Sequence, residues 1–394
     1  MPALPVLPLA SALRPRIAPL LEKTIAEFSK ASGVELVAED EDRIRAEPLP
    51  ALLHLTGGTE HLALKFAEST RSPLLLLAHR GENSLPAGLE TWARLRQEGR
   101  KSWLVTLETA GELGLFALAA GIARELRGKK LALLGGASPW LVASVPASAA
   151  LREKLGLEVL DLPLAALKKF LPEGPGEAPA GFQHDVDEAS LGRAGQIYGA
   201  LRGLVQELGV SAFSLACFEL LREGCTSCWA IARLSAEGIP SGCEGDLPSL
   251  LALWIGWILT GKPGFMANPA DVDLKEGRLL LAHCTVPLSL AENFVLRRHF
   301  ESGIGVAVEG RLAPGPYTLV RFGGRALEKL FVVEGTVLSE GPGREDLCRT
   351  QAWFHMSKGA LQKLLREPLG NHHVLLSGHH RRVLTRFHEV FLAD

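Results

Sequence analysis

The chain has 394 residues, 47% of them apolar, and a formal net charge of -2 from 42 basic and 44 acidic residues. At roughly 150 residues per domain this length allows two or three domains, and the balanced charge lacks the cationic excess of a nucleic-acid binder. The longest apolar stretch, 247–261, is too short to span a bilayer and reads as a buried helix.

The first residues, MPALPVLPLASALRPR, carry three prolines before position 9 and no positive leader segment. Six cysteines in a chain this long suit a reducing compartment, so a cytoplasmic location is expected. Asn and Gln total ten and Met three, a depletion of heat-labile residues that fits a thermophilic source.

Residues 1–125 read as a first α/β domain. Apolar residues recur three or four apart over 15–31, which predicts a helix. ALLHLTGG and SPLLLLAH are short apolar runs broken by turn residues, followed by the helix AGLETWARLRQEG, the strand SWLVTLE and the helix LGLFALAAGIARELRG. Strands alternating with helices predict a parallel sheet.

Residues 126–262 repeat the pattern as a second, Rossmann-like domain. Its strands are LALLGG, LEVLDLPL and SAFSLACF, with a Pro/Gly-rich connection at 172–182 and helices at about 187–208, after Cys225, and at 247–260. From 263 to 394 the segments shorten and become β-branched: GRLLLAHC, GIGVAVEG, YTLVRFGG, KLFVVEGTVLSE and HHVLLSG. These predict an antiparallel, barrel-like domain closed by a terminal helix.

Several positions can carry chemistry. Glu244 ends a predicted strand, at the sheet edge where α/β proteins bind ligands, and Asp246 can cap the helix that follows. His372 and His373 sit on a predicted strand and should face opposite ways. His283 ends GRLLLAH, where a buried structural histidine is the plain alternative. Cys225 and Cys228 form a CxxC at a helix start, which suits a redox dithiol, or zinc with Cys217 and Cys243 as partners, or simple packing. LALLGGASPW lacks a dinucleotide fingerprint and reads as an ordinary strand-to-helix turn. Arg321 reads as a structural strand residue.

The segment CEGD (243–246), its apolar helix, TGKPGF and a strand ending in HC resemble the C-terminal half of the L-fucose isomerase family and the related L-arabinose isomerases. YTLVRFGG, VVEGTVLSE and GNHHVLLSGHH are similar to that family's barrel strands and closing segment, and LTGGTEH and ENSLPAGLE to its first domain. The resemblance implies aldose–ketose isomerisation of a monosaccharide through an ene-diol. It also implies a homo-oligomer and a divalent metal, Mn²⁺ by preference, held by Glu244, position 268 and His372, with His283 as a further ligand. Glu244 and position 268 would also take part in proton transfer. Asn83, Ser84 and Asn371 would contact substrate.

At position 268 the family pattern has Asp and this chain has Asn. An amide offers a carbonyl oxygen to a hard cation but no charge and no useful base. Asp271 and Asp273 are the nearby substitutes. The departure also admits a sugar-binding or regulatory protein on the isomerase fold as the alternative function.

Overall fold

The structure is a computed structural model that describes residues 2–394 except 15, 146, 147, 175, 178, 180, 340 and 342. It divides into two compact units, one of residues 1–125 with 382–391, the other of residues 126–381 with 392–394.

The first unit is a five-stranded parallel sheet of order β2-β1-β3-β4-β5. Its elements are β1 (Ala3–Leu9), α1 (Ala18–Ser32), β2 (Glu35–Ala38), α2 (Glu41–Arg45), β3 (Ala51–His54), α3 (Glu60–Glu68), β4 (Leu74–Ala78), α4 (Ser84–Gln97), β5 (Ser102–Thr106) and α5 (Leu113–Leu126). Strands β3 and β4 are buried at every position, as a parallel sheet covered on both faces requires.

Strand β1 is central although it contains Pro5 and Pro8. Prolines are tolerated there because the two flanking strands are offset. β2 pairs residues 3–6 and β3 pairs residues 7–9. The Val6 carbonyl accepts from Glu39 on the β2 side and the Leu9 carbonyl from Leu55 on the β3 side. Pro8 therefore faces the β2 side beyond its pairing, and Pro5 the β3 side before its pairing begins, so neither missing N–H breaks a ladder bond.

The second unit opens with β6 (Lys130–Leu134), α6 (Ser148–Leu155), β7 (Glu158–Leu162), α7 (Glu188–Leu208), β8 (Ala212–Leu215), α8 (Cys228–Ala236), β9 (Ser241–Cys243) and α9 (Leu247–Thr260). Its four strands form a parallel sheet of order β7-β6-β8-β9. The chain continues through β10 (Phe265–Asp273), β11 (Arg278–His283), β12 (Ala291–Arg297), β13 (Ala307–Leu312), β14 (Gly315–Gly323), β15 (Lys329–Val337), β16 (Thr350–His355), α10 (Lys358–Arg366), β17 (His373–Ser377) and α11 (Arg381–Phe391).

Six of these strands close an antiparallel barrel of order β10-β11-β16-β15-β14-β17, with β17 returning to β10, and β12-β13 form a separate ribbon. The expected architecture of parallel α/β sheets followed by a β-barrel is thus present. Among the described residues no helix is long and apolar enough to cross a membrane.

Helix α9 joins the sheet to the barrel. Residues 247–256 are all buried, and a Cβ added at Gly256 would come within 2.2 Å of Leu376 on β17. Only glycine permits that approach. The start of α9 therefore lies where the ends of the parallel strands and the barrel strands β14 and β17 come together.

Candidate metal centre

The turn from β9 into α9 is tightly constrained. Glu244 holds a left-handed backbone at φ 60° and Gly245 follows at φ 70°. A side chain at 245 would place Cβ 2.1 Å from the carbonyl oxygen of Gly136, in the loop after β6. Left-handed geometry in a non-glycine residue costs of order 1 kcal/mol or more and persists where surrounding contacts fix it. Here the Gly245 N–H donates to Leu215, the Glu244 carbonyl accepts from Ser138, and Asp246 caps α9 by accepting from the Ser249 N–H at 2.9 Å.

Asp246 has a second task. It is fully buried, and both carboxylate oxygens accept from Arg321 Nη1, at 3.0 and 2.8 Å. The fully buried Arg321 guanidinium also donates to the Ser249 and Ser144 hydroxyls and to the His372 carbonyl. Burial alone would raise the Asp246 carboxyl, but the Arg321 charge and the His372 contact outweigh it and bring the pKa down to about 2. His372 Nδ1 in turn donates to Asp246 Oδ2 at 3.0 Å. That bond fixes the ring and turns Nε2 toward Glu244, whose Oε1 lies 3.4 Å away.

Glu244, His283 and His372 bring one ligand atom each to within 4.8 Å of one another, and all three are buried. They form a cluster that can hold a metal ion. The two imidazole rings stand edge to face, 5.5 Å between centroids. His283 Nδ1 shares a 2.7 Å hydrogen bond with the Thr285 hydroxyl, which engages that nitrogen and leaves Nε2 for ligation. A metal-ligating histidine ordinarily has its second nitrogen fixed by a carboxylate, backbone carbonyl or water, and here the Thr285 hydroxyl takes that place.

The electrostatics fit a cation. Burial opposes a charge on His372, yet the contacts with Asp246 and Glu244 prevail and raise its pKa to about 9. In the absence of metal the ring therefore carries a proton that balances the two carboxylates. Burial first, then the His372 charge, lower His283 to about 3, so it is neutral and ready to donate its lone pair. Glu244 stays ionised, because His372 and the indole N–H of Trp140 outweigh the burial that would raise it.

Two polar atoms beside this cluster also fit a ligand. Among the described residues, Asn268 Oδ1 and His372 Nε2 are buried and make no hydrogen bond, although His372 Nε2 has the Glu244 carboxylate 3.4 Å away. Asn268, on β10, lines one cavity with Glu244 and His283. Buried polar groups are rarely left unpaired without a reason.

Asp271 and Asp273 do not join the site. Asp271 pairs with Arg344 and Asp273 with Arg278, both at 2.7 Å. His373 faces away, as strand alternation predicts, with its ring edge-on to Phe331. Asn371 is exposed, and its backbone carbonyl meets His373 Nδ1. Asn83 and Ser84 belong to the first unit, at the start of α4. Asn83 is left-handed at φ 56°, and the fully buried Ser84 hydroxyl donates to the His54 carbonyl and accepts from the His79 N–H.

Cys225 and Cys228 do not behave as an activated dithiol. Burial pushes both thiols up, and Cys225 points to the Leu220 carbonyl, outside the cavity. Cys228 lines the cavity together with four other cysteines, Cys217, Cys243, Cys284 and Cys348. Cys217 Sγ and Cys243 Sγ are 3.1 Å apart. That contact first, then burial, holds Cys243 as a thiol.

Several contributors were not legible from sequence. Trp140, stacked edge-on against Phe218 at 4.9 Å, reaches Glu244 from a loop 104 residues upstream. His299 and Glu301 reach the cavity from the connection between β12 and β13. Only Asp246 left a signal, as the cap before an apolar helix, and that signal did not reveal its contact with His372.

No family model matches the chain. It is similar to the sulfoquinovose isomerase of Clostridium sp. (strain MSTE9), 30% identical over 154 residues, which is 34% of each chain. It is also similar to the sulfoquinovose isomerase of Alkalicoccus urumqiensis, 25% identical over 163 residues, covering 40% of this chain and 37% of the relative. The chain therefore spans little more than a third of the length of the curated relatives it matches.

Proposed function

We propose that this protein is a divalent-metal-dependent isomerase that interconverts the aldose and ketose forms of a monosaccharide through an ene-diol. The observation that carries the reading is the buried Glu244–His283–His372 cluster, with His372 Nε2 facing Glu244 Oε1 at 3.4 Å and Asn268 Oδ1, buried without a hydrogen bond among the described residues, in the adjoining cavity. The partial similarity to two sulfoquinovose isomerases supports the sugar-isomerase class.

One carboxylate and two imidazoles suit a borderline or moderately hard ion, and Mn²⁺ is the one we assign. Bound there, the cation supplies Lewis acidity toward a sugar carbonyl and its neighbouring hydroxyl. Glu244, His283 and His372 would hold it, and Asn268 would offer a neutral carbonyl oxygen.

Glu244 is the carboxylate suited to take a proton from one carbon and return it to the next. It is ionised, and Trp140 fixes its Oε2. The Asn268 amide is neither a useful acid nor a useful base near neutral pH, so proton transfer in this chain does not draw on a second carboxylate at that position.

The test is metal content and turnover together. Purified protein should retain about one Mn²⁺ per chain, and Glu244→Ala should retain less than a tenth of that. Loaded protein should convert at least one pentose, hexose or deoxy- or sulfo-hexose to its ketose. Tight sugar binding with bound metal but no ketose from any sugar would favour the second reading, a sugar-binding or regulatory protein, which the asparagine at 268 favours specifically.

A further inference from the structure

Cys217 begins the turn after β8, and Cys243 is the last residue of the neighbouring strand β9. Both are buried and free, and their sulfurs lie 3.1 Å apart, inside ordinary van der Waals separation for two sulfur atoms. Both line the cavity that also contains Glu244, Asn268 and His283. Cys225, by contrast, lies outside that cavity. We propose that Cys217 and Cys243 form a peroxide-sensitive pair whose cross-linking disables the adjoining metal site.

The reaction balances with one hydrogen peroxide. The Cys217 sulfur gives up its proton and attacks a peroxide oxygen, the O–O bond breaks, the departing hydroxide takes up that proton and leaves as water, and a sulfenic acid remains on Cys217. The second sulfur then displaces that hydroxyl as a second water, and the S–S bond forms. Two thiols are oxidised by two electrons in total, and the peroxide is reduced to two waters.

The consequence for the site follows from length. A disulfide is about 2.05 Å long, so closing the 3.1 Å contact draws the two sulfur atoms together by about 1 Å and pulls on the strand end that carries Cys243. Cys243 directly precedes Glu244, whose left-handed backbone leaves little slack, and the Cys243 carbonyl is itself tied to the Ser214 hydroxyl. Metal–ligand distances tolerate only about 0.2 Å. Movement of the strand end is therefore transmitted to the carboxylate.

The experiment treats the reduced full-length protein with millimolar hydrogen peroxide, then counts thiols after denaturation and maps cross-links by peptide mass. Two of the six thiols should disappear into a Cys217–Cys243 peptide. The Mn²⁺ dissociation constant, read by electron paramagnetic resonance, should rise at least tenfold, and dithiothreitol should restore both. Cys217→Ser should lose this response and Cys225→Ser should keep it, with circular dichroism establishing that each is folded. A cross-link that maps to Cys284 and Cys348 instead, survival of both thiols while Cys348 is oxidised, or cross-linking without a change in Mn²⁺ affinity would each overturn the proposal. If the reduced protein binds no Mn²⁺ at all, the metal reading fails on its own, while the peptide map still decides whether the pair responds to peroxide.

Discussion

At the scale of single residues, Asp246 and Arg321 decide how the candidate site is held. Both side chains are fully buried, so each charge depends on the other. Removing one partner of a buried ion pair typically costs about 3–5 kcal/mol. Arg321→Met should lower the unfolding free energy of the metal-free protein by that amount in urea titrations, and a loss below about 1 kcal/mol would contradict the role given to the guanidinium. Asp246→Asn separates the residue's two tasks. Asparagine still caps a helix well, but it brings no charge to His372, and loss of such an orienting partner weakens metal binding roughly 10–100-fold. Calorimetric titration with Mn²⁺ should show this while α9 keeps its helical signal. The carboxylate and the two histidines of the cluster could be picked out from sequence, because strand ends and a family-like CEGD segment mark them. The indole on Glu244 and the guanidinium on Asp246 could not, because they arrive from 104 and 75 positions away and leave no local pattern.

At the scale of elements, turns were harder to read than helices and core strands. The apolar run at 247–260 is a helix of that extent, and the alternation that separates His372 from His373 holds in the structure. Strand β1 is not legible in the sequence, because prolines disfavour a central strand. Only the offset between its two neighbours removes the objection, and that offset is a property of three segments together. Likewise SAFSLACF reads as one strand, yet β8 ends at Leu215 and a 3-10 turn starts at Cys217, which is what brings that thiol to β9. The β9–α9 turn carries its own prediction. Gly245→Ala adds a methyl group against the Gly136 carbonyl in a left-handed conformation. It should destabilise the protein by at least about 2 kcal/mol and lower Mn²⁺ affinity as Glu244 shifts. Gly261→Ala, at a helix end with nothing within 4 Å, should cost only about 1 kcal/mol and leave the affinity unchanged. Equal effects from the two changes would remove the special status of the 245 turn.

At the scale of the whole molecule, buried histidines set the pH window of the metal-free form. Burial lowers His54 to about 4, and burial first lowers His283 and His373 to about 3. Their contribution is present above the unfolded value near 6.5 and is lost as pH falls toward 3–4. His372 has the opposite sign. Raised to about 9, it stabilises fully below 6.5 and ceases to do so as pH climbs through 9. Asp246, held near 2, is lost only when pH falls below about 4 toward 2. Thermal melts of metal-free protein should therefore peak near pH 6.5, and a melting temperature still rising at pH 9 would contradict the assignment. Mn²⁺ affinity should instead strengthen from pH 6 to 9, because His372 must release its proton to coordinate.

The threefold attachment of Asp246 to α9, β14 and the residue before β17 has a thermodynamic corollary. An ion seated on Glu244, His283 and His372 would draw together parts of the parallel sheet, of the barrel and of the segment between them, all in the second unit, so its occupancy becomes a stored resistance to heat. By mass action, a free ion at a hundred times its dissociation constant adds about 2.7 kcal/mol. That gain should fall on the second unit, which holds all three residues of the cluster. Scanning calorimetry with and without chelator should then show one endotherm moving with Mn²⁺ while the other stays in place.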